Sequence, residues 1–556
     1  MILNLPKAFP LDTLAKFSFG APDGREDELL KSHLCLCQIE PVREVVKGNK
    51  SVIVGERGTG KTALFRLLSE GTLKFEYPAD LRQVLVPVEE ELDFKTFRNT
   101  IIARIKEQVG DESLKYRIVW EVFLIHRLLT SVDERLKLPP ELTSKLKQIN
   151  ELFDLKQKKP KLIELLLHNK KTVGVKVDSH MPNMPMSYYA SIEPSAALGE
   201  SSPVQSAEAI LNIDKTKSDL NKFLADNNTV AVVLIDRLDE FVIQDAYEIQ
   251  KMVLQGLLDT EKSFSPLKNL RVKVFIRADL FRQLDFEKIG FDKLVHRKVE
   301  LKWSHEDIRE FVARRISFNY ATVLKLNFLV FLREGKHICI DFTGDQAKKA
   351  KPLIRLFSGS KKSSKDEWDA VPESFTDDKN RQIIKSLFPK ELNHKTIDGS
   401  EERISTCNFL ETHFCLHKDV ITPRTILNYL EKALAKAVAY FRQQPQEKVI
   451  LTKENEYPLF KREVLSAAYR ELKDEMWVSL QEHSGQWSDW VAMLRKKKKN
   501  DVMSYKQIRR FLNAEDESRL KNFLSYLTHN GVLVCQNSSV TRENRNFFLP
   551  ILYKEV

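Results

Sequence analysis

The chain has 556 residues, more than one ordinary hydrophobic core organises, so two to four domains are expected. Hydrophobic residues make up 42% and charged residues 30%, with no apolar run long enough to cross a bilayer, which argues against spanning helices and predicts a cytoplasmic protein. The formal net charge of +11 is spread over the whole length; it is compatible with nucleic acid but does not establish it as a partner.

The N-terminus, MILNLPKAFPLDTLAK, lacks the charged start and long apolar stretch of an export signal. Six scattered cysteines (Cys35, Cys37, Cys339, Cys407, Cys415, Cys535) form no disulfide framework and read as reduced thiols. Residues 1–49 form a lead-in, with a turn at Ala21-Pro22-Asp23-Gly24 and a helical stretch from about Glu26. Ser51-Val52-Ile53-Val54 is short, β-branched and followed by glycine, as a buried parallel strand should be. A helix with Ala63 to Leu68, a strand at Val84–Val88 and a helix from Phe94 to Val109 follow. From Ser113 to about Asn228 the sequence predicts a mostly helical insertion, with a strand at Thr172–Val177 and an extended loop at His180–Pro203. Strands resume at Val230–Ile235, Val272–Ile276 and Val299–Trp303. Such alternation predicts an α/β fold with a five-stranded parallel sheet over residues 50–303 and helices on both faces. Ser304 followed by Glu306 and Asp307 marks a helix start. Residues 304–442 read as a helical region interrupted by a polar loop at about 358–382, with a strong helix at 422–441.

Gly55-Glu56-Arg57-Gly58-Thr59-Gly60-Lys61-Thr62, followed by Ala63, fits G-x-x-x-x-G-K-[ST] between a strand and a helix. Glycines let the main chain turn tightly and aim successive N–H groups at an anion, and the following helix adds its positive end. In this motif Lys61 reaches the β- and γ-phosphates of ATP, and the Thr62 hydroxyl ligates Mg²⁺. The apolar run Val232–Ile235 delivers Asp236 at a strand's C-terminal end, the edge where open α/β sheets bind ligands. Asp236 is therefore the second expected metal residue, and either Asp239 or Glu240 orients or deprotonates the attacking water. Arg277, at the end of the next strand, is expected to sense or stabilise charge near the γ-phosphate, and Arg424, after Thr422-Pro423, to reach over the phosphates. Arg282 and Arg297 are candidate fingers for a neighbouring subunit.

Residues 443–556 read as a further unit. A helix starting at Ser504-Tyr505, a second over Glu517–His529 with Leu520, Phe523, Leu524 and Leu527 on one face, and strands at Val532–Val534 and Phe547–Leu549 give a winged-helix order. Arg495 to Lys499, with Arg509, Arg510, Arg519, Lys521, Arg542 and Arg545, offer a basic surface for nucleic acid or a solvated face. Cys407, His413, Cys415 and His417 lack the spacing of a zinc site and read as core or surface residues.

VGERGTGKTAL, IDRLDEF, VKVFIR, TPRTILNYL and the segment Phe19 to Asp27 together resemble the additional-strand P-loop ATPases of the AAA+ and STAND groups. They are similar to bacterial P-loop ATPases grouped with origin-recognition-complex-like AAA proteins. One departure stands out. AAA+ proteins usually place glutamate directly after the acidic-strand aspartate, where this chain has Arg237, and the spacing Asp236-Arg237-Leu238-Asp239-Glu240 looks more like STAND and KAP ATPases. The resemblance implies ATP with Mg²⁺, a helical lid, a C-terminal winged helix, a protein partner or homo-oligomer, and a bacterial accessory or antiphage-defence role. The expected function is an ATP-hydrolysing regulatory switch. A nucleic-acid-loading or remodelling ATPase and a non-hydrolysing ATP-dependent scaffold are the alternatives.

Overall fold

A computed structural model describes residues 5–6, 8–89, 98, 102, 112–153, 212–238, 247–282, 284, 291–333, 336–341, 367–370, 377–395, 401–415, 420–444, 448–450, 459–496, 502–529, 531–535, 545–550 and 553. The expected helix at 94–109 (Arg98 and Ile102 apart), the strand at 172–177 and the loop at 180–203 lie outside them. The chain divides into two compact units. One comprises Met1–Pro78, Leu234–Asp239 and Lys273–Val556; the other comprises Ala79–Val233 and Glu240–Val272.

A short strand, β1 (Ala8–Pro10), precedes the main sheet, which is built from β2 (Val52–Gly55), β3 (Arg82–Val88), β4 (Thr229–Ile235), β5 (Leu270–Arg277) and β6 (Lys298–Glu300). Its order is β3-β4-β5-β2-β6. β2 runs parallel to both neighbours, with Val52 opposite Val274 and Lys298. Every residue of β4 is buried, which explains why its sequence is a continuous apolar run and not an alternating one. All five strands expected from the sequence are present, with small shifts at their ends.

In the first unit, a capping box at Ser304 and Asp307 starts the helix His305–Thr322, as the cap signal predicts. Beyond it the structure corrects the sequence reading. The region 304–442 is not simply helical. Strands β7 (Phe328–Arg333), β8 (Lys336–Asp341) and β9 (Glu367–Ala370) form one sheet, and β10 (Glu391–Lys395) pairs with β11 (Glu401–Ser405). β7 and β8 pair with Arg333 opposite Lys336, so only Glu334-Gly335 separates two apolar runs, a hairpin spacing. The polar stretch 358–382 is likewise not all loop. The helix Asp377–Leu387 begins within it, because Asn380, Ile383, Ile384 and Leu387 fall on one buried face and Asp377 and Asp378 occupy the first turn.

The segment 1–49 is built into this unit and does more than lead into it. β1 pairs antiparallel with β12 (Lys448–Ile450). The helical stretch expected from Glu26 is a 3₁₀ turn at Glu28–Lys31, followed by the helix Glu40–Val46. One hydrophobic cluster runs from Phe9 to Tyr553 and takes in Ile426 and Leu430 of the helix Pro423–Arg442, Leu465 and Leu472 of the helix Arg462–His483, and the C-terminal helices. In the latter, Leu520, Phe523, Leu524 and Leu527 are all buried. β13 (Met503–Ser504), β14 (Val534–Cys535) and β15 (Asn546–Phe548) form a small sheet in the order β13-β15-β14.

The second unit packs the helices Glu112–Leu136, Pro140–Phe153, Ile213–Asp226 and Tyr247–Phe264 around β3 and the first residues of β4 and β5. Gly256 touches the main chain of Tyr116 and Arg117, so the two longest helices of this unit approach too closely there for any side chain. Glu121, 1% exposed, is held by the Ser263 hydroxyl at 2.7 Å and the Lys217 ammonium at 3.2 Å. Such pairing is the condition on which a carboxylate tolerates burial.

Candidate nucleotide site

The site lies within the first unit, at the C-terminal ends of β2, β5 and β4. β2 leads into the loop 56–60, and the helix Lys61–Ser69 begins directly after it. Gly58 and Gly60 sit at φ +85° and +96°, a region that side chains disfavour, and Gly60 caps the helix in that conformation. Gly55 is glycine for another reason: a methyl group there would collide with the Thr59 hydroxyl and press on Leu301.

The loop's carbonyls are claimed by donors from the protein itself. The Lys61 ammonium, 8% exposed, donates to Gly55 O at 2.8 Å and Glu56 O at 2.9 Å. The Thr59 hydroxyl also donates to Glu56 O, at 2.9 Å. Arg424 N–H approaches Gly58 O at 3.4 Å, and the Trp303 indole N–H donates to Thr59 O at 2.9 Å. In a planar trans peptide the N–H points opposite to the C=O, so the Thr59 carbonyl held by Trp303 turns the Gly60 N–H the other way, while the Thr59 N–H donates within the loop to Glu56 O at 3.3 Å. That is the construction of an anion cradle. Thr62 lies in the first helical turn, partly exposed, Arg57 is exposed, and Ala63 packs directly against Gly24.

Asp236 follows β4 and is 2% exposed. β5 alone separates β4 from β2, so the two strands are about 10 Å apart, twice the spacing of neighbouring strands. That intervening strand is the feature after which the additional-strand class is named. Arg237 is left-handed at φ +60°, an uncommon conformation for a non-glycine residue. The chain thus leaves the strand direction where AAA+ proteins carry glutamate. Asp239 and Glu240 lie outside the described residues.

Arg277 ends β5 level with Gly55, and its guanidinium is paired with Asp279 at 3.0 and 2.7 Å. Arg424 lies on the loop itself: its Nε donates to Pro22 O at 3.2 Å, and a side chain at Gly58 would press on Arg424 and Thr422. Burial pushes the Arg424 guanidinium pKa below its usual range, and the neighbouring Arg57 adds to this. A cation so placed favours an anion beside it. Arg282 bridges to Glu56 of the same chain's loop at 2.8 Å. Arg297 ends a short helix, and its carbonyl accepts Ser51 N–H.

Several residues of the site carry no sequence signal. Trp303 reads only as the end of a strand. Glu431, on the same helix as Arg424, accepts Phe19 N–H at 2.5 Å and the Ser18 hydroxyl at 3.3 Å, and its pKa is raised, chiefly by burial. Among the outlying candidates, Cys407 and His413 are buried in the core, where His413 stacks on Phe409, and Cys415 bonds Glu411 O. His417 lies outside the described residues. Arg495, Arg509 and Arg519 bond Asp474, Ala514 O and Gln486 O, and Arg519 also stacks on Trp490.

The sheet and its loop form an α/β P-loop fold. No family model and no curated protein matches the chain. Among solved structures it is similar to the Aeropyrum pernix ORC2 protein in ADPNP–ADP complexes, at 10% identity and a TM-score of 0.32, covering 93% of this chain and 90% of that one. It is similar also to the Aeropyrum pernix ORC1 protein in complex with DNA, at 10% identity and a TM-score of 0.32, covering 92% and 89%. Likenesses this distant carry no argument about activity, which rests on the site.

The residues fit a magnesium-bound triphosphate. The glycine cradle, the buried Lys61 ammonium and the Arg424 guanidinium suit the phosphates. No group of three His, Cys, Asp or Glu side chains that could enclose a metal occurs among the described residues. No helix among those residues is long and apolar enough to cross a membrane.

Proposed function

We propose that the chain binds ATP with Mg²⁺ at residues 55–63 and hydrolyses it as a nucleotide-dependent switch. The observation that carries this reading is the loop itself: glycines in left-handed conformations, carbonyls turned onto protein donors, and a buried ammonium at its mouth. The loop N–H groups and Lys61 hold the β- and γ-phosphates, and Arg424 contributes positive charge beside Gly58. Bound Mg²⁺ would neutralise charge developing between those phosphates. Thr62 and Asp236 would hold that ion, and either Asp239 or Glu240 would orient or deprotonate the attacking water. Arg277, released from Asp279, serves as the sensor.

Connectivity supports the switch. Arg424 meets the loop, while Glu431, two turns along the same helix, grips Phe19. A shift of the helix with nucleotide state would therefore pull on the N-terminal segment. In this reading 304–442 is the lid and 443–556 a winged-helix-like unit that relays the change to a protein partner or a second copy.

Phosphate release from Mg-ATP tests the proposal. Asp236→Asn keeps the shape of the buried side chain and removes its charge, so the rate is expected to fall at least about tenfold. A folded variant that turns over ATP as fast as the wild type contradicts the assignment.

A further inference from the structure

We propose that Trp303 is a positioning residue for nucleotide: its indole holds the phosphate loop in a binding-ready form before the ligand arrives. The inference rests on the nucleotide reading above and extends it to a residue outside the phosphate-loop and acidic motifs.

The Trp303 indole N–H donates to Thr59 O at 2.9 Å. Thr59 C=O and Gly60 N–H belong to one peptide plane and point in opposite directions. Fixing the carbonyl on the indole therefore fixes the direction of the Gly60 N–H. Gly60 is left-handed at φ +96°, with no atom within 4 Å of the place a Cβ would occupy, so side-chain packing at this residue does not hold the peptide plane. Glycine's freedom, which lets the loop turn, is also what lets this plane rotate.

The indole is itself held. Its ring packs edge-on against Phe311 at 5.5 Å, on the helix that the Ser304 capping box starts one residue later. That helix supplies Arg315 and Asn319, which bind Asp27 and Ser18 of the N-terminal segment. Trp303 thus connects the loop to a rigid support. Because a bound triphosphate can hold the Gly60 N–H by itself, the indole matters most in the free protein. Its loss should therefore raise KM and Kd while leaving kcat nearly unchanged.

Trp303→Phe keeps a ring against Phe311 and removes the N–H. Expected is a five- to tenfold weaker Kd for Mg-ATP, about the worth of one hydrogen bond, with a matching rise in KM and kcat within about twofold. Should Trp303→Phe not fold, Trp303→Tyr is the second variant, with the same expected direction. A folded variant with wild-type Kd overturns the inference while leaving the nucleotide site standing. A wild type that binds no ATP overturns both.

Discussion

Replacing Lys61 by alanine is expected to abolish measurable turnover and to weaken ATP binding by about a hundredfold or more. The Lys61 ammonium is nearly buried and already held on the loop by Gly55 O and Glu56 O. A hydrogen bond to a charged group contributes about 1.5–3 kcal/mol, and two such bonds to phosphate oxygens give about 3–6 kcal/mol, at least two decades of affinity. The substitution also strips two loop carbonyls of a donor, so some loosening of the free loop accompanies it. Displacement of a fluorescent nucleotide measures the affinity, phosphate release measures the turnover, and a thermal melt shows that the fold persists. Equal background-corrected rates for the two proteins would sink the hydrolytic reading.

The largest effect on stability is expected at Arg315, well away from the loop. Its guanidinium is 1% exposed and forms a two-pronged pair with Asp27, at 3.0 and 2.5 Å, while Asp27 is itself 2% exposed. Asp27 also caps the turn at Glu28–Lys31, and Gly20 must be glycine because a side chain would strike both partners. Arg315→Met would leave a buried carboxylate without its countercharge, a change that costs about 3–5 kcal/mol. Replacing Asp27 by asparagine in the same background should recover part of the loss, since a neutral amide tolerates burial better. Denaturant melts of the single and double variants measure this. A single variant within about 0.5 kcal/mol of wild type would show that the pair contributes little, the level of an ordinary surface substitution.

The P-loop core was legible because its signals are local. A buried parallel strand is a short β-branched run, and the phosphate loop needs glycine at fixed offsets for reasons visible at Gly55, Gly58 and Gly60. The start of the helix at Asp377–Leu387 was read as loop: its spacing of apolar residues carries the signal, but its polar composition concealed it. The pairing of Ala8–Pro10 with Lys448–Ile450 was not: three residues meet three others more than four hundred positions away, and nothing in either stretch names the other. The same holds for Glu431 on Phe19 and Trp303 on Thr59, where a side chain from one segment satisfies the main chain of another. Local pattern reports which face is apolar, but long-range polar contacts depend on the finished packing.

Calorimetric titration of the folded wild type with ATP, with Mg²⁺ and then with the metal chelated, tests the central claim most directly. Saturable binding of one nucleotide per chain, tighter when Mg²⁺ is present, is the predicted result. No saturable binding up to about 1 mM ATP, the limit of an interaction worth only about 4 kcal/mol, would contradict it.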